Sequence, residues 1–179
     1  MVERAWGQRL LDCAAAAFAG LQIVPRIAVD YGADGDARRS AAAAQHLAST
    51  GSYEPSRLPG NPLFEYTLAA LVPWGGPVAS NSFVAASYVL AVLAFRRLAR
   101  PLPGAGMLTV LFALTPVVVV NAATTMDYMP GLALLLWSYA LVTEGHLAAG
   151  AVLLGLSAGR ARARARYRSF EPDRFEDGP

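Results

Sequence analysis

Lysine is absent from this chain. All fifteen basic residues are arginine, which together with abundant alanine points to a GC-rich coding bias rather than to a mechanism. A single cysteine, Cys13, excludes an internal disulfide. It sits in an apolar run, where a buried and inert thiol is expected. Charge is scarce, at 16% of 179 residues, against about a quarter in soluble domains. There is no zinc signature, no glycine-rich phosphate loop between strand and helix, and no nucleophile elbow. His46 and His146 are isolated, without metal-ligand spacing, and read as surface polar residues. The net charge of +2 says little about partners.

Apolar residues fill the space that charge leaves. They make up 55% of the chain, and mean hydropathy is +0.36. No charge occurs over residues 66–95, 101–126 or 128–143. Runs of that length read as membrane spans. The pattern predicts an all-α, polytopic helical membrane protein with four to five transmembrane helices. The spans are placed at residues 10–29, 79–95, 104–122 and 131–143, with a kink at Pro116. A last apolar segment, 147–159, is too short to cross. Arg4 and Arg9 before an apolar run imitate a signal peptide, but no convincing small-x-small cleavage site follows, so this span is expected to stay. Asp12 and Arg26 lie near its two ends, within reach of headgroups.

Residues 30–78 form a long loop with two short helices. Asp36 is placed as the cap of a helix over 37–50, which Gly51 ends. After the irregular "SYEPSRLPGNP", Asn61 and Pro62 open a second helix over 62–72. The breaker "PWGGP" stops it, so it reads as an interfacial helix with Tyr66 and Trp74 at headgroup level. Residues 1–159 thus form the membrane domain, and 160–179 an arginine-rich disordered tail. The run "RARARARYR" resembles a nucleic-acid patch in composition only. The expected partner is the lipid bilayer and not nucleic acid. Arginines in the N-terminus and in "FRRLAR" put both on the cytoplasmic side of a cell membrane. Loop 30–78 and Asp127 then face outside.

That external face gathers the candidate chemistry. Asp30, Asp34 and Asp36 follow the first span, and Asp127 follows the third. A half-desolvated carboxylate in hydrogen-bond reach of a hydroxyl can take its proton. Arg38, Arg39 and Arg57 can clamp a phosphate. Plainer roles compete at each position. Asp36 or Asp127 can be a helix cap, Asp30 and Asp34 turn residues, Arg38 and Arg39 headgroup contacts, and Glu65 the polar stripe of its helix.

The order of "DGDARRSAAAAQHLASTGSY", "RLPGNPLFEYTLAALV" and "LFALTPVVVVNAATTMDYMPGLALLLWSYALV" resembles the N-terminal part of the GT-C membrane glycosyltransferases. The match is to the dolichyl-phosphate-mannose protein mannosyltransferase-like group, over residues 8–158. The resemblance implies inverting transfer of a hexose from a polyprenyl-phosphate sugar donor to an acceptor at the external face. By motif position it makes Asp36 the catalytic acid or acceptor contact, with Asp34 next and Asp127 as the second acid. Arg39, Arg57, Asp30 and Glu65 become substrate-binding candidates. Some relatives use a divalent metal, but no ligand set is identifiable here. Such enzymes usually have nine or more spans, so the chain reads as truncated, with activity of this chain alone left open. The alternative is a non-catalytic small helical membrane protein, a scaffold or transporter-like subunit.

Overall fold

Proline and glycine decide where the helices of this chain begin, bend and end. The computed structural model describes residues 2–57 and 60–158. The order is α1 (Val2–Ile23), a 3₁₀ turn (Val24–Arg26), α2 (Gly35–Thr50), α3 (Pro62–Ala99), α4 (Ala105–Leu114), α5 (Pro116–Asn121), α6 (Tyr128–Thr143) and α7 (Leu147–Ala158). No strand occurs among the described residues, so the all-α expectation holds. The expected tail, 160–179, lies outside the described residues.

The first helix is displaced from its expected place. It begins at Val2 and ends at Ile23, whereas apolarity alone carried it to residue 29. Pro25 explains the early end. It lacks an N–H and disfavours helix in the residue before it, so the chain tightens into the 3₁₀ turn instead. Cys13 is exposed on this helix, a correction to the buried thiol expected from its apolar run. An apolar helix has both core-facing and outward residues, and Cys13 falls on the outward side.

The breaker "PWGGP" acts where the pattern put it, but by one residue. The hydrogen-bonded ladder of α3 runs from Pro62 to Ala99, yet Gly76 inside it has φ 52° and ψ −134°. Glycine reaches that region without the Cβ clash that stops other residues. The helix therefore changes direction there. The third expected span is broken rather than kinked. Thr115 is extended, with ψ 123°, between α4 and α5. Pro116 imposes that on its predecessor and then serves as the first residue of α5. Pro62–Ala99 is the one helix among the described residues long and apolar enough to cross a membrane; α4, α6 and α7 are apolar but shorter. The first half of α1 is interrupted by Glu3, Arg4, Arg9 and Asp12.

Packing is organised around α3, which touches α1, α2, α4 and α6, while α7 packs on α6. Leu68, Val72, Val84, Tyr88 and Val92 of α3 form the centre of the core, with Ala19 and Ile23 of α1, Ala113 of α4 and Met129 of α6 against them. The many alanines let helices approach closely. Tyr88 keeps its buried hydroxyl satisfied by donating to the Ala113 carbonyl at 2.9 Å. The C-terminal end of α3 is pinned to the middle of α1 and to the end of α6. Arg96 and Arg100 of α3 donate to Asp12 of α1, at 2.6 and 2.5 Å, and Arg97 donates twice to Glu144 at 2.5 Å. Asp12 thus braces α1 against α3.

Candidate functional site

At the other end of the bundle, the two acids expected to share a site are joined by one arginine. Arg57 donates to Asp127 through Nη2, and its Nη1 lies 3.5 Å from Asp36. Asp36 also accepts from Arg39 at 3.4 Å. Asn61 donates to the second oxygen of Asp127 at 3.0 Å. The guanidinium of Arg57 lies over the Tyr128 ring, 5.6 Å from its centre. Burial pulls this group down, but hydrogen bonds to Asp127 and Tyr128 outweigh it, and Arg57 is held above its ordinary range. The result is a polar cluster drawn from α2, the 52–57 loop, the start of α3 and the start of α6.

Helix capping sorts the three early aspartates. The cap of α2 is Asp34, whose carboxylate accepts from the Asp36 amide at 2.9 Å. This corrects the placement of Asp36 as cap. The helix begins two residues earlier than periodicity suggested, and Asp36 falls in its first turn. An acid there still favours the helix dipole, and its side chain is left to meet Arg57. Asp34 is exposed and occupied by capping. Asp30 accepts from the Tyr31 amide at 2.7 Å and from Arg38 at 3.3 Å, apart from the Arg57 cluster. Asp127 occupies the N-cap position of α6 but makes no capping hydrogen bond, because both of its oxygens turn to Arg57 and Asn61.

Glu65 is neither a solvated stripe nor a residue open to substrate. It is 2% exposed. Its carboxylate accepts from the Tyr53 hydroxyl at 2.5 Å, the Ser56 amide at 2.9 Å and the Ser56 hydroxyl at 2.5 Å. It therefore fastens the loop that ends in Arg57. Burial, then the adjacent Glu65, pushes the Tyr53 phenol well above its ordinary value. Asn61 caps α3 as expected, accepting from the Phe64 amide at 3.3 Å. Its other end reaches Asp127, a second role that no capping rule predicts.

A buried network that sequence reasoning missed holds the acidic loops in register. Asn81 is wholly buried and donates to the carbonyls of Ile27 at 3.1 Å and Asp30 at 2.6 Å. Its oxygen accepts from Thr125, whose hydroxyl also meets Ser80 at 2.8 Å. The Thr125 amide donates to the Tyr31 carbonyl at 2.8 Å. One amide side chain thus ties the loop carrying Asp30 to the loop carrying Asp127. The available signal was "SNS" at the start of an apolar helix, since a buried polar group must find partners. Gly32 adds a close approach: its φ is 130°, and a Cβ there would lie 2.5 Å from the Thr124 methyl.

Two clefts flank these groups. One, of about 300 Å³, runs from Asn61 and Asp127 down between α3, α6 and α7, past Phe83, Leu90, Leu134 and Leu156. The other, of about 410 Å³, lies between the 26–38 segment and the turn after α5. The described residues contain no group of three or more His, Cys, Asp or Glu placed to hold a metal ion, and Arg57 itself occupies the space between Asp36 and Asp127. His46 stands 3.7 Å from Glu54 at the surface, and His146 is exposed. Comparison with family models, curated proteins and solved structures finds no match.

Proposed function

We propose that this end of the bundle is the reaction face of a polytopic membrane glycosyltransferase-like protein. The reaction is transfer of a sugar from a polyprenyl-phosphate-linked donor to an acceptor outside the membrane. The observation that carries the reading is the Arg57 bridge. It joins carboxylates far apart in sequence, Asp36 and Asp127, at the mouth of an apolar cleft. Asp36, the more exposed of the two, is the acceptor-side acid. Arg39 beside it contacts the donor's phosphate, and the cleft below Asp127 takes the isoprenoid chain. Support for the membrane part comes from α1, α4, α5 and α7. All turn large apolar residues outward, among them Leu21, Met107, Val117, Val120 and Val152, more than a water-facing surface usually carries.

The test is sugar transfer by the full chain in lipid, with polyprenyl-phosphate sugars as donors. Asp36→Asn keeps the shape and removes the base, so transfer is expected to fall by roughly a hundredfold or more while expression and helicity persist. Undiminished transfer would overturn the assignment.

A second reading is favoured by a specific observation. Both carboxylates are already neutralised by Arg57, as in a purely structural clasp. On that reading the chain is a non-catalytic helical membrane protein. Asp36→Asn would then lower stability, and no donor in the panel would be turned over by the unaltered chain.

A further inference from the structure

Among the arginines whose side chains are described, pairing with carboxylates has one exception, and it lines a cleft. Arg38, Arg39, Arg57, Arg96, Arg97 and Arg100 each meet a carboxylate. Arg26, among the arginines whose side chains are described, does not. Its guanidinium makes a long hydrogen bond, 3.5 Å, to the Val119 carbonyl. It lines the 410 Å³ cleft together with Arg38, Asp30, Val29, Val120 and Thr124. Two guanidiniums and one carboxylate leave this cleft with one excess positive charge.

The walls are fixed before any ligand arrives. The Asn81 network holds the carbonyls of Ile27 and Asp30 on one side, and the Thr125 amide ties the opposite wall to Tyr31. The flanks are apolar and turned outward. Val29 is 76% exposed and Val120 63%. A small hydrated anion gains nothing from such flanks. An anion that carries its own apolar chains gains from both parts.

We propose that this cleft binds the headgroup of an anionic phospholipid. The phosphodiester sits between Arg26 and Arg38, and the acyl chains run along Val29 and Val120. Arginine suits this role because its planar fork matches phosphate oxygens two at a time. Asp30 acts as an internal brake: it neutralises Arg38 in part and selects for a single negative charge. The proposal rests on the membrane part of the reading above and is independent of sugar transfer.

The experiment reconstitutes the full chain in nanodiscs of equal parts phosphatidylglycerol and phosphatidylcholine. Lipids retained after release into detergent are then counted by native mass spectrometry. The unaltered chain is expected to retain phosphatidylglycerol about fivefold over phosphatidylcholine, the equivalent of about 1 kcal/mol per surface charge. Arg26→Gln and Arg38→Gln should each bring the ratio towards one. Asp30→Asn keeps the Tyr31 contact, adds a net positive charge and should raise the ratio by a similar factor, a gain that damaged folding would not produce. No preference in the unaltered chain, an intact preference in Arg26→Gln, or a fall in Asp30→Asn would each overturn the site. Loss of the preference in millimolar inorganic phosphate would overturn the assignment to a lipid. Failure of the chain to enter nanodiscs at all would instead overturn the membrane reading beneath it, whereas a chain that enters them without transferring sugar leaves this site standing.

Discussion

Helix α6 carries an arginine–carboxylate pair at each end. At its start, Asp127 meets Arg57, whose guanidinium lies over Tyr128; at its finish, Glu144 meets Arg97, whose guanidinium lies over Trp137. The parts are alike, but the settings differ. Arg97 and Glu144 are each about one-third exposed and meet each other in a simple two-pronged fork. Asp127 is 17% exposed and is shared with Asn61, while Arg57 also reaches Asp36. One end joins two helices with a pair that water still screens. The other gathers one loop and the starts of three helices around Arg57, with its main carboxylate, Asp127, the more deeply buried of the two acids that end α6. The same chemistry therefore braces at one end and assembles a cluster at the other.

The comparison can be broken most strongly at the buried end. Asp127→Ala leaves the Arg57 guanidinium with Asp36 as its remaining carboxylate and takes away the acceptor of the Asn61 amide group. Unfolding should cost less by about 2 kcal/mol, below the figure for a fully buried pair because both groups keep some water. Thermal unfolding in detergent measures it. A double-mutant cycle of Arg57→Gln with Asp127→Asn should give a larger coupling than one of Arg97→Gln with Glu144→Gln. Equal couplings would erase the distinction drawn between the ends.

Next in size is the loop that delivers Arg57. Glu65→Gln puts an amide where three donors converge, at a cost of about 1–2 kcal/mol. Proteolysis within residues 52–57 should accelerate in step with that loss. Gly32→Ala should cost about 1–2 kcal/mol, because alanine is strained at a φ of 130° and its methyl would meet Thr124. Here the effect should appear at the Asp127 end and leave the Arg97 pair untouched.

The exposed end should respond least, and to acid. Arg97, through its hydrogen bond, holds the Glu144 carboxyl below its ordinary value near 4.5. A carboxyl depressed in the folded state adds stability that is complete above its unfolded value and disappears as pH falls through the folded one. The unaltered chain and Glu144→Gln should therefore differ in melting temperature at neutral pH. The gap should close as the solution is acidified below about pH 4.5.

Much of this molecule was legible locally. Asn61, Pro62 and Gly51 mark helix ends by rules that need only a few neighbouring residues, and "PWGGP" announces the bend realised at Gly76. Apolarity by itself does not reveal the early end of α1, which Pro25 imposes. Asp36 was given a cap that Asp34 makes, since either aspartate satisfies the same pattern and only backbone geometry chooses between them. Of the candidates Asp30, Asp34, Asp36, Arg39, Arg57, Glu65 and Asp127, the fold brings Asp36, Arg39, Arg57 and Asp127 together and holds Asp30, Asp34 and Glu65 in other contacts. Glu65 and Asn81 could not be understood in that way, because the groups that explain them lie on other segments.

Sequence alone determined the helical class, the apolar surplus and the punctuation, because backbone hydrogen bonding and the conformational limits of proline and glycine act over one or two turns. Tertiary structure decided which charges pair. Arg57 binds Asp36 and Asp127 rather than remaining an open clamp, Asp12 takes Arg96 and Arg100, and Arg26 lines a cleft with no carboxylate in ion-pair range of it. Electrostatic partners are set by distance and burial after the chain has packed, and neither quantity is written in the order of the residues.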